Sequence, residues 1–354
     1  MRIAQVSPLF ESVPPKLYGG TERIVSYLTE ELVKQGHEVT LFASGDSETK
    51  ARLVAPCSKA LRLDSECMDP LAHHFTLMEM VLREVDNFDI IHFHIDYLHY
   101  PLSRRMLVPH ISTLHGRLDI TDLIPLYKEY KEIPVVSISD FQRKPLPEAN
   151  WIDTVYHGLP SDLYKGTTRE GKYLAFLGRF SPEKRPERAI QLAIEAGIPI
   201  KLAAKVDTKD LEYFENVVKP LLNHPLVEYI GEVSEKEKQE FLENAIALVF
   251  LIDWPEPFGL VMIESIACGT PVIAWRNGSV PEVLEDGVSG RIVESMEEAL
   301  CSIDEIRKFD RAKVRACFDK RFTAERMTMD YVELYDQMIK TKSLSNINFV
   351  YKNV

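Results

Sequence analysis

Glu256 and Glu264, with seven residues between them, carry the chemistry written most plainly in this chain. They lie in Pro255-Glu256-Pro257-Phe258-Gly259-Leu260-Val261-Met262-Ile263-Glu264, followed by Ser265-Ile266-Ala267-Cys268-Gly269-Thr270-Pro271. The pattern predicts a loop, a short helix opened by Phe258-Gly259, and a turn into a strand. The amides of Gly259, Leu260 and Val261 then have no partner inside the helix. Unpaired amides at the positive end of a helix dipole attract an anion. Glu256 sits at the mouth of such a site and Glu264 about two turns along. A carboxylate accepts two hydrogen bonds from neighbouring hydroxyls, as on a sugar. Phosphate plus sugar is the ligand this block suggests. The plainer alternative is a Glu256 that complements the dipole and a solvated Glu264.

Other segments carry weaker chemistry. Pro14-Pro15-Lys16-Leu17-Tyr18-Gly19-Gly20-Thr21-Glu22-Arg23 joins a strand to a helix. Paired glycines let backbone approach a ligand, or simply punctuate a loop. The spacing is not G-x-G-x-x-G, so a dinucleotide fingerprint is unsupported. Thr113-Leu114-His115-Gly116 places a histidine at the carboxyl end of a strand, where α/β sheets bind ligands. A hydrogen-bonded structural histidine fits the same place. His92 and His94 share a strand face and could begin a metal site, but no cysteine or E-x-x-H pattern completes it. In Gly178-Arg179-Phe180-Ser181-Pro182-Glu183-Lys184-Arg185-Pro186, Arg179 and Lys184 flank a turn and could hold a pyrophosphate or face solvent. Gly231-Glu232-Val233-Ser234 and Arg276-Asn277-Gly278-Ser279 read as turns before helices, with Asn277 able to take a left-handed backbone.

The elements that must position these residues alternate along the whole chain. Strand-length apolar runs at Ile3–Val6, Val39–Ala43, Ile90–His94, Ile111–Leu114, Val135–Ser139 and Ile152–Tyr156 are interleaved with helical patterns. After the linker Gly158–Gly166 the rhythm restarts at Leu174–Leu177, Ile200–Ala204, Val227–Ile230, Ala247–Leu251, Val272–Ala274 and Arg291–Val293. A βα rhythm implies parallel sheets covered by helices on both faces. Two doubly wound domains are expected, residues 1–160 and 161–325, presenting strand ends to a cleft. A terminal helix, 326–342, is expected to pack back towards the first domain, with a frayed tail over 343–354.

Composition narrows the classes. A hydrophobic content of 45% and charged content of 27% in 354 residues suit a globular chain of two domains. The net charge of −12 is shared evenly between the halves, with no basic arm for nucleic acid. No run approaches the roughly 18 apolar residues of a membrane span, and no leader-like segment precedes Ile3. Cys57, Cys67, Cys268, Cys301 and Cys317 show no paired spacing and fit reduced core thiols in a cytoplasmic protein.

Taken in order, the Gly-Gly loop, Leu-His-Gly, Gly-Arg-x4-Lys and E-x7-E over residues 1–340 resemble the retaining glycosyltransferases of family 4, glycosyl transferases group 1, which have the GT-B fold. The resemblance implies a metal-independent transfer of a sugar from a nucleotide diphosphate sugar, UDP-sugars being the commoner donors. It makes His115, Arg179, Lys184 and Glu256 the catalytic set. It makes Gly19, Gly20, Val233, Phe258, Gly259, Leu260 and Glu264 the donor-binding set, with Val233 on the base and Glu264 on the ribose. Arg185 departs from the pattern, since many relatives carry a small residue there. The acceptor implied is a glycan, a lipid or a small molecule, as in carbohydrate or cell-envelope biosynthesis. Lipid-linked acceptors are common in the family, which leaves contact with the inner face of a membrane open. The rivals are another GT-B enzyme, a catalytically silent nucleotide-sugar-binding protein of the same fold, and a Rossmann oxidoreductase. The E-x7-E block argues against the first, nucleotide binding without donor turnover would mark the second, and absence of NAD(P) binding would exclude the third.

Overall fold

The computed structural model describes residues 1–16 and 19–352, with side chains to Thr341. The chain divides into two compact units. One holds Met1–Gly158 and the chain from Ala324 onward; the other is Leu159–Thr323.

The first unit is a parallel sheet of seven strands. These are β1 (Arg2–Val6), β2 (Glu38–Phe42), β3 (Arg52–Val54), β4 (Ile90–Phe93), β5 (His110–Thr113), β6 (Val135–Ser137) and β7 (Trp151–Thr154). Their order is β3-β2-β1-β4-β5-β6-β7. Strands buried on both faces read as continuous apolar runs, and β4, Ile-Ile-His-Phe, is buried at every residue. The helix Gly20–Lys34 buries Ile24, Leu28 and Leu32, one residue per turn, against this sheet. The terminal helix, Ala324–Lys352, belongs to the same unit. It is tied there by Arg326, which donates to the carbonyls of Tyr156 and His157, and by Lys34, 3.4 Å from Glu325. The order of the sheet reverses between β1 and β4, so the loops after these two strands flank a crevice at their carboxyl ends.

The second unit is a parallel sheet of six strands. These are β8 (Tyr173–Arg179), β9 (Ile200–Lys205), β10 (Val227–Gly231), β11 (Ala245–Phe250), β12 (Val272–Trp275) and β13 (Gly290–Val293). The order β10-β9-β8-β11-β12-β13 reverses between β8 and β11. Leu174, Phe176, Ile200, Leu202, Val249 and Ile273 form its core with Ile190 and Ala193 of the helix Pro186–Ala196.

Several expectations change. The short strand β3 was not anticipated; three residues at a sheet edge leave too little periodicity to read. The segment between Thr208 and Asn223, whose apolar spacing over 210–222 is that of a helix, is broken into 3-10, α and π turns. Pro220 contributes, since it has no amide to donate and its ring clashes with the preceding turn. A helix at Leu123–Glu129 was missed. The last helix has a helical backbone to Lys352, where a frayed tail was expected; residues 353 and 354 lie outside the described residues. Cys268 and Cys317 are buried, but Cys57 and Cys67 are half-buried and Cys301 is exposed, so the core-thiol reading holds for two only. No helix among the described residues is long and apolar enough to cross a membrane.

Candidate active site

In the second unit the loops after β8 and β11 meet at the switch in strand order. The β8 loop delivers Lys184 and the β11 loop delivers Glu256, and the two form an ion pair. Trp254 donates its indole N–H to the same carboxylate oxygen at 3.0 Å. The Lys184 ammonium also lies 5.1 Å from the Trp254 ring and 5.7 Å from that of Phe250. An ammonium over an aromatic face is attracted by the ring quadrupole. Arg179, the last residue of β8, takes another direction. It lies 3.2 Å from Asp207 and 3.4 Å from Asp210. The two cations expected to flank one pyrophosphate thus have different partners.

Glycines shape the Glu256 loop. Gly259 has φ +83°, and a Cβ there would lie 2.7 Å from Met262 Cε and 3.4 Å from Glu256 Cγ. Gly278, φ +58°, packs so closely on the loop that a Cβ would lie 2.3 Å from the Glu256 amide nitrogen. Ser279 donates its amide to the Glu256 carbonyl at 3.0 Å and its hydroxyl to the Phe258 carbonyl at 2.8 Å. The left-handed residue of this turn is Gly278; Asn277, for which that role was expected, has no positive φ. Arg185 is left-handed, with φ +51° at the start of a helix, a conformation that disfavours side chains.

The helix Leu260–Ala267 follows, with Gly259 as its N-cap and Phe258 buried beneath it. Glu264 is 3% exposed and meets the Lys238 ammonium at 2.8 Å. A buried carboxylate needs such a partner. Lys238 stands on the helix Glu235–Glu243, whose capping box is Ser234 with Glu237. Val233 immediately precedes it, half-buried at a groove of ≈ 690 Å³ shared with Ile230 and Phe241. The turn Gly231–Ser234 and Glu264 are thereby linked through one helix. Trp254, Lys238 and Asp207 were not singled out from sequence, because their roles depend on loops that only the fold brings together.

In the first unit the loops after β1 and β4 line a cavity of ≈ 390 Å³ that includes Gly19, Gly20, Glu22, Arg62, His94 and His115. Gly19 is required by packing: a Cβ would lie 2.8 Å from Pro15 Cβ and 3.1 Å from Glu22 Oε2. Leu17 and Tyr18 of the same loop lie outside the described residues. Burial, with the neighbouring Glu11 charge adding, raises the Glu22 carboxyl to about 7. Glu11 is paired with Arg62 at 2.8 Å. His115 stacks on His157 with ring centroids 5.2 Å apart, and burial lowers its pKa to about 3. Both nitrogens of His92 and of His94 are hydrogen-bonded to neighbouring side chains. His99 is structural, bonded to Ser103 and Ser112 and stacked on Phe93.

Two doubly wound parallel-sheet units in one chain, each with its crevice at the carboxyl ends of the switch strands, define the GT-B fold. Residues 18–162 match the family described as Glycosyltransferase Family 4, and residues 165–309 match Glycosyl transferases group 1. The chain is 27% identical over 283 residues to an uncharacterised glycosyltransferase of Methanocaldococcus jannaschii, covering 72% of this chain and 77% of that one. It is 24% identical over 371 residues to the N-acetyl-alpha-D-glucosaminyl L-malate synthase of Bacillus anthracis, covering 91% and 95%. Among solved structures, Anabaena HepE in complex with UDP and glucose aligns with a TM-score of 0.72 at 16% identity, covering 95% of this chain and 100% of that one. The chain belongs to the family 4, group 1 glycosyltransferases and is a transferase of the glycosyl-transferring type.

Proposed function

We propose that this enzyme moves a sugar from a UDP-sugar to a glycan, lipid or small-molecule acceptor, retaining the anomeric configuration and using no metal ion. The observation that carries this reading is the Lys184–Glu256 pair beside the start of the Leu260–Ala267 helix. As the bond from the anomeric carbon to the diphosphate breaks, negative charge grows on the departing oxygen. Lys184, Arg179 and the amides near Gly259 and Leu260 supply positive charge from the chain itself. Arg179 does so by exchanging Asp207 and Asp210 for phosphate. Glu256 holds sugar hydroxyls and Glu264 the ribose hydroxyls, each releasing its lysine in part as ligand arrives. Val233 packs on the base. Gly19 and Gly20 bring backbone to the donor, and His115 orients the sugar. The UDP complex of the similar HepE supports the choice of base.

The test is calorimetric titration with UDP, GDP and ADP in EDTA, with Glu264→Ala alongside, followed by the anomeric configuration of the product. Tight UDP binding in EDTA, weakened about tenfold or more in the variant, and a product of retained configuration are expected. No binding of any nucleotide would remove this reading.

A further inference from the structure

His115 ends a chain of buried side chains that begins on the terminal helix. Tyr335 accepts a hydrogen bond from Gln5 Nε2 at 3.0 Å. The amide oxygen of Gln5 faces His94 Nε2 at 2.8 Å. His94 Nδ1 faces His115 Nε2 at 2.8 Å. Gln5, His94 and Tyr335 are at most 2% exposed, so water does not compete for these bonds.

The direction of each bond follows from the chemistry of the groups. An amide oxygen can only accept, so His94 must donate from Nε2. A neutral imidazole then has a bare Nδ1, which accepts. The proton between the two histidines therefore sits on His115 Nε2. The directions in the other branch follow from the same orientation of Gln5. Tyr335 accepts from Gln5 and gives its own proton to His92 Nδ1 at 2.7 Å. His92 Nε2 then donates to Thr113 at 2.7 Å, and Thr113 lies 2.9 Å from the Tyr331 hydroxyl. Two tyrosines of the terminal helix and three strands of the sheet, β1, β4 and β5, thus share one polarised network.

The far nitrogen of His115 is different. Its Nδ1 is buried and hydrogen-bonds to no group among the described residues. A buried acceptor without a donor is destabilising unless a ligand supplies one. His115 lines the cavity of the first unit.

We propose that Tyr335, Gln5 and His94 are positioning residues that hold the proton of His115 on Nε2, leaving Nδ1 to accept a hydrogen bond from a hydroxyl of the transferred sugar. The ligand half of this statement rests on the sugar-orienting role given to His115 above; the tautomer half does not.

The experiment is nitrogen-15 NMR of the histidine-labelled protein without ligand, with His115 assigned by its absence in His115→Gln. A through-bond coupling between His115 Nε2 and His94 Nδ1 is expected, with the proton on His115. Solvent exchange of that proton accelerates by about tenfold in Gln5→Leu and in the milder Tyr335→Phe, the factor for one lost hydrogen bond. Melting temperatures show that each variant is folded. A proton found on His94 Nδ1 would overturn the assignment, as would folded variants with unchanged exchange. The spectrum is read in the free protein, so failure of nucleotide or sugar binding leaves the tautomer result intact. A confirmed tautomer with full transfer by His115→Ala would instead overturn the sugar-facing half.

Discussion

Lys184 and Glu256, 72 positions apart in the chain, share a hydrogen bond at the point where the second sheet reverses its strand order. Each is the other's counter-ion, and both are mostly shielded from water, at 16% and 11% side-chain exposure. Removing one partner leaves a shielded charge unpaired, which costs about 3 kcal/mol. Lys184→Met should therefore lower both stability and transfer. The double variant Lys184→Met, Glu256→Gln should recover most of the stability and none of the transfer, which falls about a hundredfold or more with loss of one charge stabiliser. Urea titrations beside initial rates check this. Recovery of both together would mean that the pair is only structural.

Glu264 and Lys238 make a second, deeper pair. A ribose that bonds Glu264 must share it with Lys238. Glu264→Ala should weaken UDP binding by about tenfold or more, the worth of a charged hydrogen bond. It should also leave Lys238 facing Glu235, 3.4 Å away, so the ammonium keeps a partner and the fold survives. Calorimetry with UDP against uracil separates ribose recognition from base recognition: uracil binding should not change.

Much of the fold was legible because parallel strands buried on both faces are written as continuous apolar runs. Twelve such runs fall on observed strands within two residues at each end. What was hidden obeys other rules. The three residues of β3 are held by pairing with β2, which leaves no mark in local pattern. The Asp210–Leu222 segment has the apolar spacing of a helix and breaks where Pro220 removes a donor. Glu256, Glu264 and Lys184 were singled out from type and spacing, and the fold pairs Lys184 with Glu256. Trp254, Lys238 and the Gln5–His94 link were not, since their meaning lies in contacts between distant segments. Arg179 illustrates the converse, for Asp207 and Asp210 come to it from the loop after β9, which sequence spacing cannot show.

The buried histidines make the first unit acid-sensitive. Burial lowers His92, His94, His99, His115 and His157 below the ordinary 6.5, His115 to about 3. In the folded protein they stay neutral at pH 5, whereas in the unfolded chain they gain protons as pH falls through about 6.5. Stability is thus held above that value and lost below it, approaching about 1.4 kcal/mol per pH unit for each histidine. All five lie in the first unit, so that unit should open first in acid. Urea melts from pH 7.5 to 5, with His115 side-chain resonances as reporter, check the slope. A first unit equally stable at both ends would contradict the burial of these rings.

Glu22 works in the opposite sense and at higher pH. Its carboxyl is raised from 4.5 to about 7 by burial. Between these values the folded protein keeps a proton that the unfolded chain has released. Stability therefore falls as pH rises across this window, by up to about 3 kcal/mol once both states are ionised. Glu22→Gln removes the titration and keeps the shape. Its melting temperature should match wild type near pH 5 and exceed it at pH 8. Glu22 lines the same cavity as Gly19 and Gly20. If the neutral acid is the working form, transfer by the wild type declines above pH 7 while the glutamine variant holds its rate. A variant that melts below wild type at pH 8 would show that Glu22 is ionised in the fold, stabilised there by Arg62 rather than penalised by burial.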